Sequence, residues 1–228
     1  MRSVLFDTET TGLDPLTGDR VIEIAAIELI NDLPTRNTFH RLIHPERDVP
    51  PESTRVHGIT LDKLRDAPRF AEIVDDMLAF FGEDQLVAHN APFDFGFLNA
   101  ELARCKRPRL ARERMVDTLV LAKTRFPGMP NSLDALCRRF GIDLSERTTH
   151  NALLDCRLLA EVYVELTGGR QRALLPSGEA EEQSQMPTVQ YDAVGPRSPR
   201  AMVPSEGERA AHAGFVEKKV KDAIWRAE

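Results

Sequence analysis

The sequence predicts an α/β fold, a mixed β-sheet flanked by helices and followed by a flexible C-terminal tail, and three observations predict it. Strand-like apolar runs come first, at Ser3–Phe6, Val21–Ile30 and Thr38–Ile43. Helical periodicity then takes over, broken by one short strand-like run, Leu86–Ala88. After Gly169 the hydrophobic period ends, and residues 176–207 hold five prolines, three glycines and four serines.

Val21–Ile30 is long and rich in Ile and Ala, as a central strand would be. Asp14-Pro15 and Thr17-Gly18 mark the loop before it, and Asp32-Leu33-Pro34 the loop after it. Pro50-Pro51 opens a long irregular connection that carries Glu52 and His57-Gly58-Ile59. Phe70, Ile73, Val74, Met77, Leu78 and Phe81 then recur at helical spacing, and Gly82 ends that helix. Beyond Leu86–Ala88 a helix starts near Pro92, with Phe93, Phe97, Leu98 and Leu102 on one face. Ser132-Leu133-Asp134-Ala135-Leu136 opens another, ending near Gly141. The last strong helix starts at residue 151 and is stopped by Gly168-Gly169.

With 228 residues, 42% hydrophobic and 29% charged, the chain has length for one sizeable domain plus an extension. No apolar stretch approaches the ~18 residues that span a membrane. The N-terminus enters the first strand at once, leaving no room for a signal peptide. Cys105, Cys137 and Cys156 form no CxxC pair, so reduced thiols, a cytoplasmic location and no zinc site are expected. A net charge of -6 and a pI near 5.6 exclude a broad basic face for nucleic acid. They leave room for a small site in which bound cations neutralise phosphates. The basic run Arg104-Cys105-Lys106-Arg107-Pro108-Arg109, continuing to Arg112 and Arg114, is either a solvated loop or a phosphate-contacting patch.

Chemistry is suggested first by Val4-Leu5-Phe6-Asp7-Thr8-Glu9-Thr10-Thr11-Gly12. Side chains alternate along a strand, so Asp7 and Glu9 point the same way. Two like charges side by side are costly unless a cation lies between them, and oxygen ligands suit hard ions such as Mg2+ or Mn2+. The competing reading is a pair of acids that end a strand by starting a turn. A second element, His89-Asn90-Ala91-Pro92-Phe93-Asp94, runs from a strand end into a helix. Asp94 in the first turn could serve a site or merely complement the helix dipole. A third, His150-Asn151-Ala152-Leu153-Leu154-Asp155, opens the last long helix. His40, His44 and His212 carry no motif.

Together the spacings Asp7-x-Glu9, Asn90-x-x-x-Asp94 and His150-x-x-x-x-Asp155 resemble the DEDD exonucleases, in the subgroup with a histidine in its third motif. Val56-His57-Gly58-Ile59, Asn131-Ser132-Leu133-Asp134-Ala135-Leu136, Leu159-Ala160-Glu161-Val162-Tyr163 and Thr167-Gly168-Gly169 are similar to the epsilon-type proofreading subunits of bacterial DNA polymerase III. The likeness covers residues 2–169 and returns at Ile224-Trp225-Arg226-Ala227.

The resemblance implies a ribonuclease-H-like sheet and a 3′→5′ exonuclease that frees nucleoside 5′-monophosphates from a DNA 3′ end. It maps the family's four carboxylates onto Asp7, Glu9, Asp94 and Asp155, holding two divalent cations, Mg2+ or Mn2+, about 3.5–4 Å apart. His150 matches the general base. Glu52 and His57 match positions at the terminal nucleotide, and Thr10, Gly12, Leu13, Asn90 and Phe93 would shape the base pocket. Phe93 could equally be core, and His89 a structural hydrogen-bonding residue. A frayed, mispaired terminus would be cut faster than a matched one.

Three regions are expected: an exonuclease domain at 1–169, a linker at 170–207 and a polymerase-binding segment at 208–228. In the last, Phe215, Val216, Val220, Ile224 and Trp225 show helical spacing and need something to bury against, either a partner or the chain's own domain. The resemblance implies the catalytic (alpha) subunit of the polymerase, with a small accessory subunit as a further partner and no membrane. In the linker Gln171, Leu174 and Leu175 resemble peptides that dock on the bacterial sliding clamp, but lack their usual phenylalanine, so chance is the alternative. Two rival functions stand beside proofreading. One is a free-standing DEDD exonuclease that trims RNA or oligonucleotides; the other is an inactive exonuclease-like scaffold.

Overall fold

The computed structural model describes residues 1–147, 149–168 and 203–219. The chain divides into two units, Met1–Pro176 and Ser177–Glu228. In the first, strands β1 (Arg2–Thr10), β2 (Val21–Ile30), β3 (Leu33–Leu42), β4 (Gln85–Ala88) and β5 (Met115–Asp117) form one sheet in the order β3-β2-β1-β4-β5. β2 pairs antiparallel with both β1 and β3, while β4 runs parallel to β1 and β5 to β4. Helices α1 (Pro51–His57), α2 (Phe70–Phe81), α3 (Ala91–Arg104), α4 (Thr118–Arg125), α5 (Leu133–Phe140) and α6 (Ala152–Leu166) flank it.

Alternation along β1 builds a core on each face. Val4 and Phe6 pack with Phe70, Ile73, Met77 and Phe81 of α2 and Phe95, Phe97 and Leu98 of α3. Leu5 packs on the other face with Leu136 of α5 and Cys156, Leu159 and Val162 of α6. Phe6 has no exposed surface, and its ring centroid lies 5.4 Å from Phe81 and 6.0 Å from Phe95. Burying such a ring contributes about 1.5–3 kcal/mol.

Several expectations are extended or corrected. β1 runs to Thr10, so Asp7 and Glu9 lie within the strand rather than in a turn after it. β3 begins at Leu33 because the turn needs only Asn31 and Asp32, both left-handed at φ 52° and 66°. Pro34 is tolerated there because β3 is the edge strand. The connection after Pro50 is not irregular: Pro51 starts α1, and Gly58 ends it at φ 71°. β5 and α4 are additions to the elements that the sequence predicts; Asp117 joins them by accepting from Leu119 N–H at 2.9 Å. In the basic run Arg104 pairs with Glu101, Arg107 with Asp75, and Arg114 donates to the Gly82 and Asp84 carbonyls, which favours a structural role for these three.

The second unit has one described helix, α7 (Glu206–Lys219), on which Phe215 is exposed. Val220, Ile224 and Trp225, and Gln171, Leu174 and Leu175 of the clamp-like motif, lie outside the described residues. Among the described residues no helix is long and apolar enough to cross a membrane.

Candidate active site

β4 pairs with β1 only as far as Leu5, so the second half of β1 projects beyond its neighbour. That half carries Asp7 and Glu9, and the chain leaving β4 bends through His89 and Asn90 into α3 beside it. Asn90 takes the turn in the left-handed region (φ 63°), which asparagine tolerates better than most residues, and its N–H donates to Asp117 at 3.0 Å. This places Asp94 in the first turn of α3, where the Thr8 hydroxyl donates to it at 2.6 Å. From the opposite sheet face α6 supplies Asp155, and the loop before α6 supplies His150. The His150 N–H donates to the Val56 carbonyl at 3.1 Å, tying this loop to α1.

Crowding of these acids shows in their protonation. Burial, reinforced by Asp94, Glu9 and Asp155, holds the Asp7 carboxyl well above the ordinary carboxylate range. Burial, with Asp155 and Glu23 behind it, pushes Glu9 from 4.5 to about 8. Burial also raises Asp94, against the opposing Thr8 hydrogen bond. Groups of this kind fit a hard divalent cation, which supplies the missing positive charge. Among the described residues, Glu9, His150 and Asp155 offer ligand atoms that all lie within 4.8 Å of one another.

A cleft of about 840 Å3 opens over these carboxylates, lined also by Thr10, Gly12, Leu13, Glu52, His57, Asn90 and Phe93. Every residue expected to be catalytic, metal-holding or substrate-binding is thus on its wall. α1 is held to the end of β1 by the Ser53 hydroxyl, which donates to the Thr11 carbonyl at 2.8 Å. His57 is buried, its Nδ1 accepts from Ile59 N–H at 3.0 Å, and its Nε2 has no partner among the described residues. Burial lowers its pKa, so the ring is neutral with its proton on Nε2, an atom with essentially no exposed surface, while the residue lines the cleft. Leu13 is 84% exposed, an apolar side chain left at the rim. Phe93 satisfies both of its readings, since it packs on the core 4.9 Å from Phe97 and also lines the cleft. His89 has the structural bond foreseen for it, to Thr118 Oγ1 at 2.9 Å, and lines the cleft as well.

Gly12 is required by a close approach. A Cβ there would collide with the Asp19 carboxylate, which Arg47 Nη1, the Thr11 hydroxyl and Asp14 N–H hold at 2.9, 3.1 and 3.2 Å. Gly12→Ala is therefore expected to destabilise the protein by about 1–3 kcal/mol, measured by urea unfolding. An unchanged midpoint would mean that Asp19 moves aside freely.

Two residues that support the site, Glu23 behind the cleft wall and Arg147 on it, carry no signal in the sequence. Glu23 lies opposite Glu9 across the sheet and is 1% exposed. It accepts from His40 Nε2 at 2.7 Å and from Asn151 Nδ2 and Ala152 N–H at 3.2 Å, fixing the start of α6 between His150 and Asp155. Arg147 pairs with Asp155 and Asp134. An acid in an apolar strand and an arginine in a polar loop give no signal by themselves.

Comparison with known proteins agrees with this geometry. Residues 4–163 match the family described as exonuclease. The chain is 45% identical over 226 residues to the DNA polymerase III subunit epsilon of Rickettsia felis, covering 98% of this chain and 99% of that one. Among solved structures it superposes on exonuclease X in complex with 5′ overhanging duplex DNA (TM-score 0.56, 28% identity, 72% of this chain and 90% of that one). It also matches the nuclease domain of 3′hExo, a DEDDh family member bound to rAMP, whose 18% identity and TM-score of 0.62 over 73% of this chain and 91% of that one bear on fold alone. The sheet is that of the ribonuclease-H-like exonucleases, a fold that implies divalent metal ions. The chain belongs to the 3′→5′ exonuclease family, and within it to the epsilon subunits of DNA polymerase III.

Proposed function

We propose that this protein is the 3′→5′ proofreading exonuclease of a bacterial replicase, removing mispaired terminal nucleotides by hydrolysis. The observation that carries this reading is the convergence of Asp7, Glu9, Asp94, Asp155 and His150 on one cleft wall, in a chain alike along nearly its whole length to epsilon subunits. Asp7, Glu9, Asp94 and Asp155 are the residues that would hold two cations, Mg2+ or Mn2+. When bound, these would supply charge neutralisation at the scissile phosphate and a more acidic water.

The remaining work falls to the chain's own side chains. His150 Nδ1 lies 3.6 Å from Asp155 Oδ2, Arg147 Nη2 lies 3.2 and 3.4 Å from Nδ1 and Nε2, and His150 is the residue that would take the proton of the attacking water. His57 and Glu52 meet the terminal nucleotide, while Leu13 and Phe93 receive its base. Apolar contact and stacking accept any base. Selectivity then comes from fraying, since a mispaired end costs less to draw into the cleft. A primer–template labelled at its 5′ end tests direction: stepwise shortening from the 3′ end, faster at a mismatch, is expected. Equal rates on matched and mismatched ends would remove the proofreading reading.

Cation binding should be linked to pH through Glu9. A carboxyl raised from 4.5 to about 8 in the folded state contributes stability that is present below 4.5 and lost as pH rises through about 8. Cations held by the ionised group offset that loss and displace its proton. The rise in melting temperature on adding Mn2+ is therefore expected to be larger at pH 8 than at pH 6, with protons released on binding. Equal shifts at the two pH values, read by scanning calorimetry, would contradict this.

The domain at 1–169 is proposed to act alone on single strands, with 170–207 as linker. Residues 208–228 would dock on the catalytic (alpha) subunit, and Gln171, Leu174 and Leu175 on the sliding clamp. Removing 208–228 is expected to abolish co-purification with the alpha subunit while leaving single-strand hydrolysis intact. Retained co-purification would place that contact elsewhere.

A further inference from the structure

Arg147 is the one lysine or arginine among the described residues lining the cleft, and its side chain is only 10% exposed. Its Nε donates to Asp155 Oδ1 at 2.6 Å and its Nη2 to Asp155 Oδ2 at 2.8 Å, so one planar fork covers both oxygens of that carboxylate. The other arm, Nη1, donates to Asp134 Oδ1 at 2.6 Å. Nη2 also lies 3.2 Å from His150 Nδ1. A divalent ion close enough to ligate Asp155 would sit against this guanidinium, compete with its N–H donors for the same oxygens and repel its charge.

We propose that Arg147 is an exchangeable counter-cation of the site. It holds Asp155, yields that carboxylate to an incoming divalent ion, and stays tied to Asp134. Its freed N–H donors then meet a phosphate oxygen of the substrate. Asp134 suits the tether, since its side chain is 38% exposed at the mouth of the cleft while that of Asp155 is 5% exposed within it. Arg147 would thus be a substrate-binding residue with two alternative partners, an acid before the ion enters and an anion afterwards. The inference rests on the two-cation reading above.

Isothermal titration of Mn2+ into the full-length parent, Arg147→Gln and Arg147→Lys tests it. If the fork holds nine-tenths of molecules closed, Arg147→Gln should bind Mn2+ about tenfold more tightly. Arg147→Lys should move the same way, because one ammonium cannot cover both oxygens. With Mn2+ saturating, binding of thymidine 5′-monophosphate should weaken about tenfold in Arg147→Gln, a loss expected of a charge-assisted contact. Unchanged or weaker Mn2+ binding by Arg147→Gln overturns the proposal, and so does an Arg147→Lys protein that titrates like the parent, which would leave only a through-space charge effect. Binding of Mn2+ by none of the three would instead sink the two-cation reading. A check free of substitution is the Arg147 Nε–H resonance of the parent during Mg2+ titration. It should move in step with binding, and a signal that stays fixed while Mg2+ binds refutes the exchange.

Discussion

Replacing Asp7 by Asn should lower cation-dependent exonuclease activity by about 10³-fold, the scale of losing a preorganised electrostatic group at a reacting centre. The same substitution should raise the melting temperature of the protein without added cations. Both effects have one cause. Asp7 sits on the projecting half of β1 among Glu9, Asp94 and Asp155, and burial with those neighbours disfavours its charged form. An amide of the same shape removes that repulsion, and a relief of about 1 kcal/mol corresponds to about 2–4 °C in a chain of this size. Stability lost for function is what a site built to hold cations requires. Activity retained in Asp7→Asn would support the scaffold reading, in which the acids have no chemical task. A lowered melting temperature would mean that the carboxylate is held by partners of its own.

The second large effect is expected at His150. His150→Gln should reduce kcat by about 10²–10⁴-fold, the range for loss of a general acid or base. KM and Mn2+ affinity should change little. The side chain is half exposed, and the backbone bond from His150 N–H to Val56 that ties down the loop does not depend on the ring. The split between kcat and Mn2+ affinity matters because His150 also lies within ligand distance of Glu9 and Asp155. A drop in Mn2+ affinity parallel to the drop in kcat would make His150 a cation ligand and leave the base to be found elsewhere.

Much of this site is legible in the chain because it hangs on short periods. Asp7 and Glu9 fall on one face through the two-residue alternation of a strand, and Leu5 before them shows which face. Asp94 and Asp155 open helices whose apolar periodicity is plain in Phe97, Leu98 and Leu102, and in Leu158, Leu159 and Val162. What stayed hidden depends on register and on long-range approach. Glu23 stands inside an apolar run and reads as an outward-facing acid; only pairing with β1 brings it opposite Glu9, and only the approach of α6 gives its carboxylate two donors. Arg147 sits in the polar stretch Ser145-Glu146-Arg147, where nothing local points to Asp155. Pro50-Pro51 reads as a break although the second proline begins a helix. β5 is three residues long, too short for any period to register.

The central claim is that Asp7, Glu9, Asp94 and Asp155 form one two-cation site at the end of β1. Its most direct test is anomalous diffraction at the manganese edge from crystals soaked in Mn2+ and thymidine 5′-monophosphate. Two peaks about 3.5–4 Å apart, held by these four carboxylates, with the nucleotide phosphate beside them, are expected. Manganese bound elsewhere, or a cleft that holds the nucleotide with no ion against Asp7 and Asp155, would contradict it.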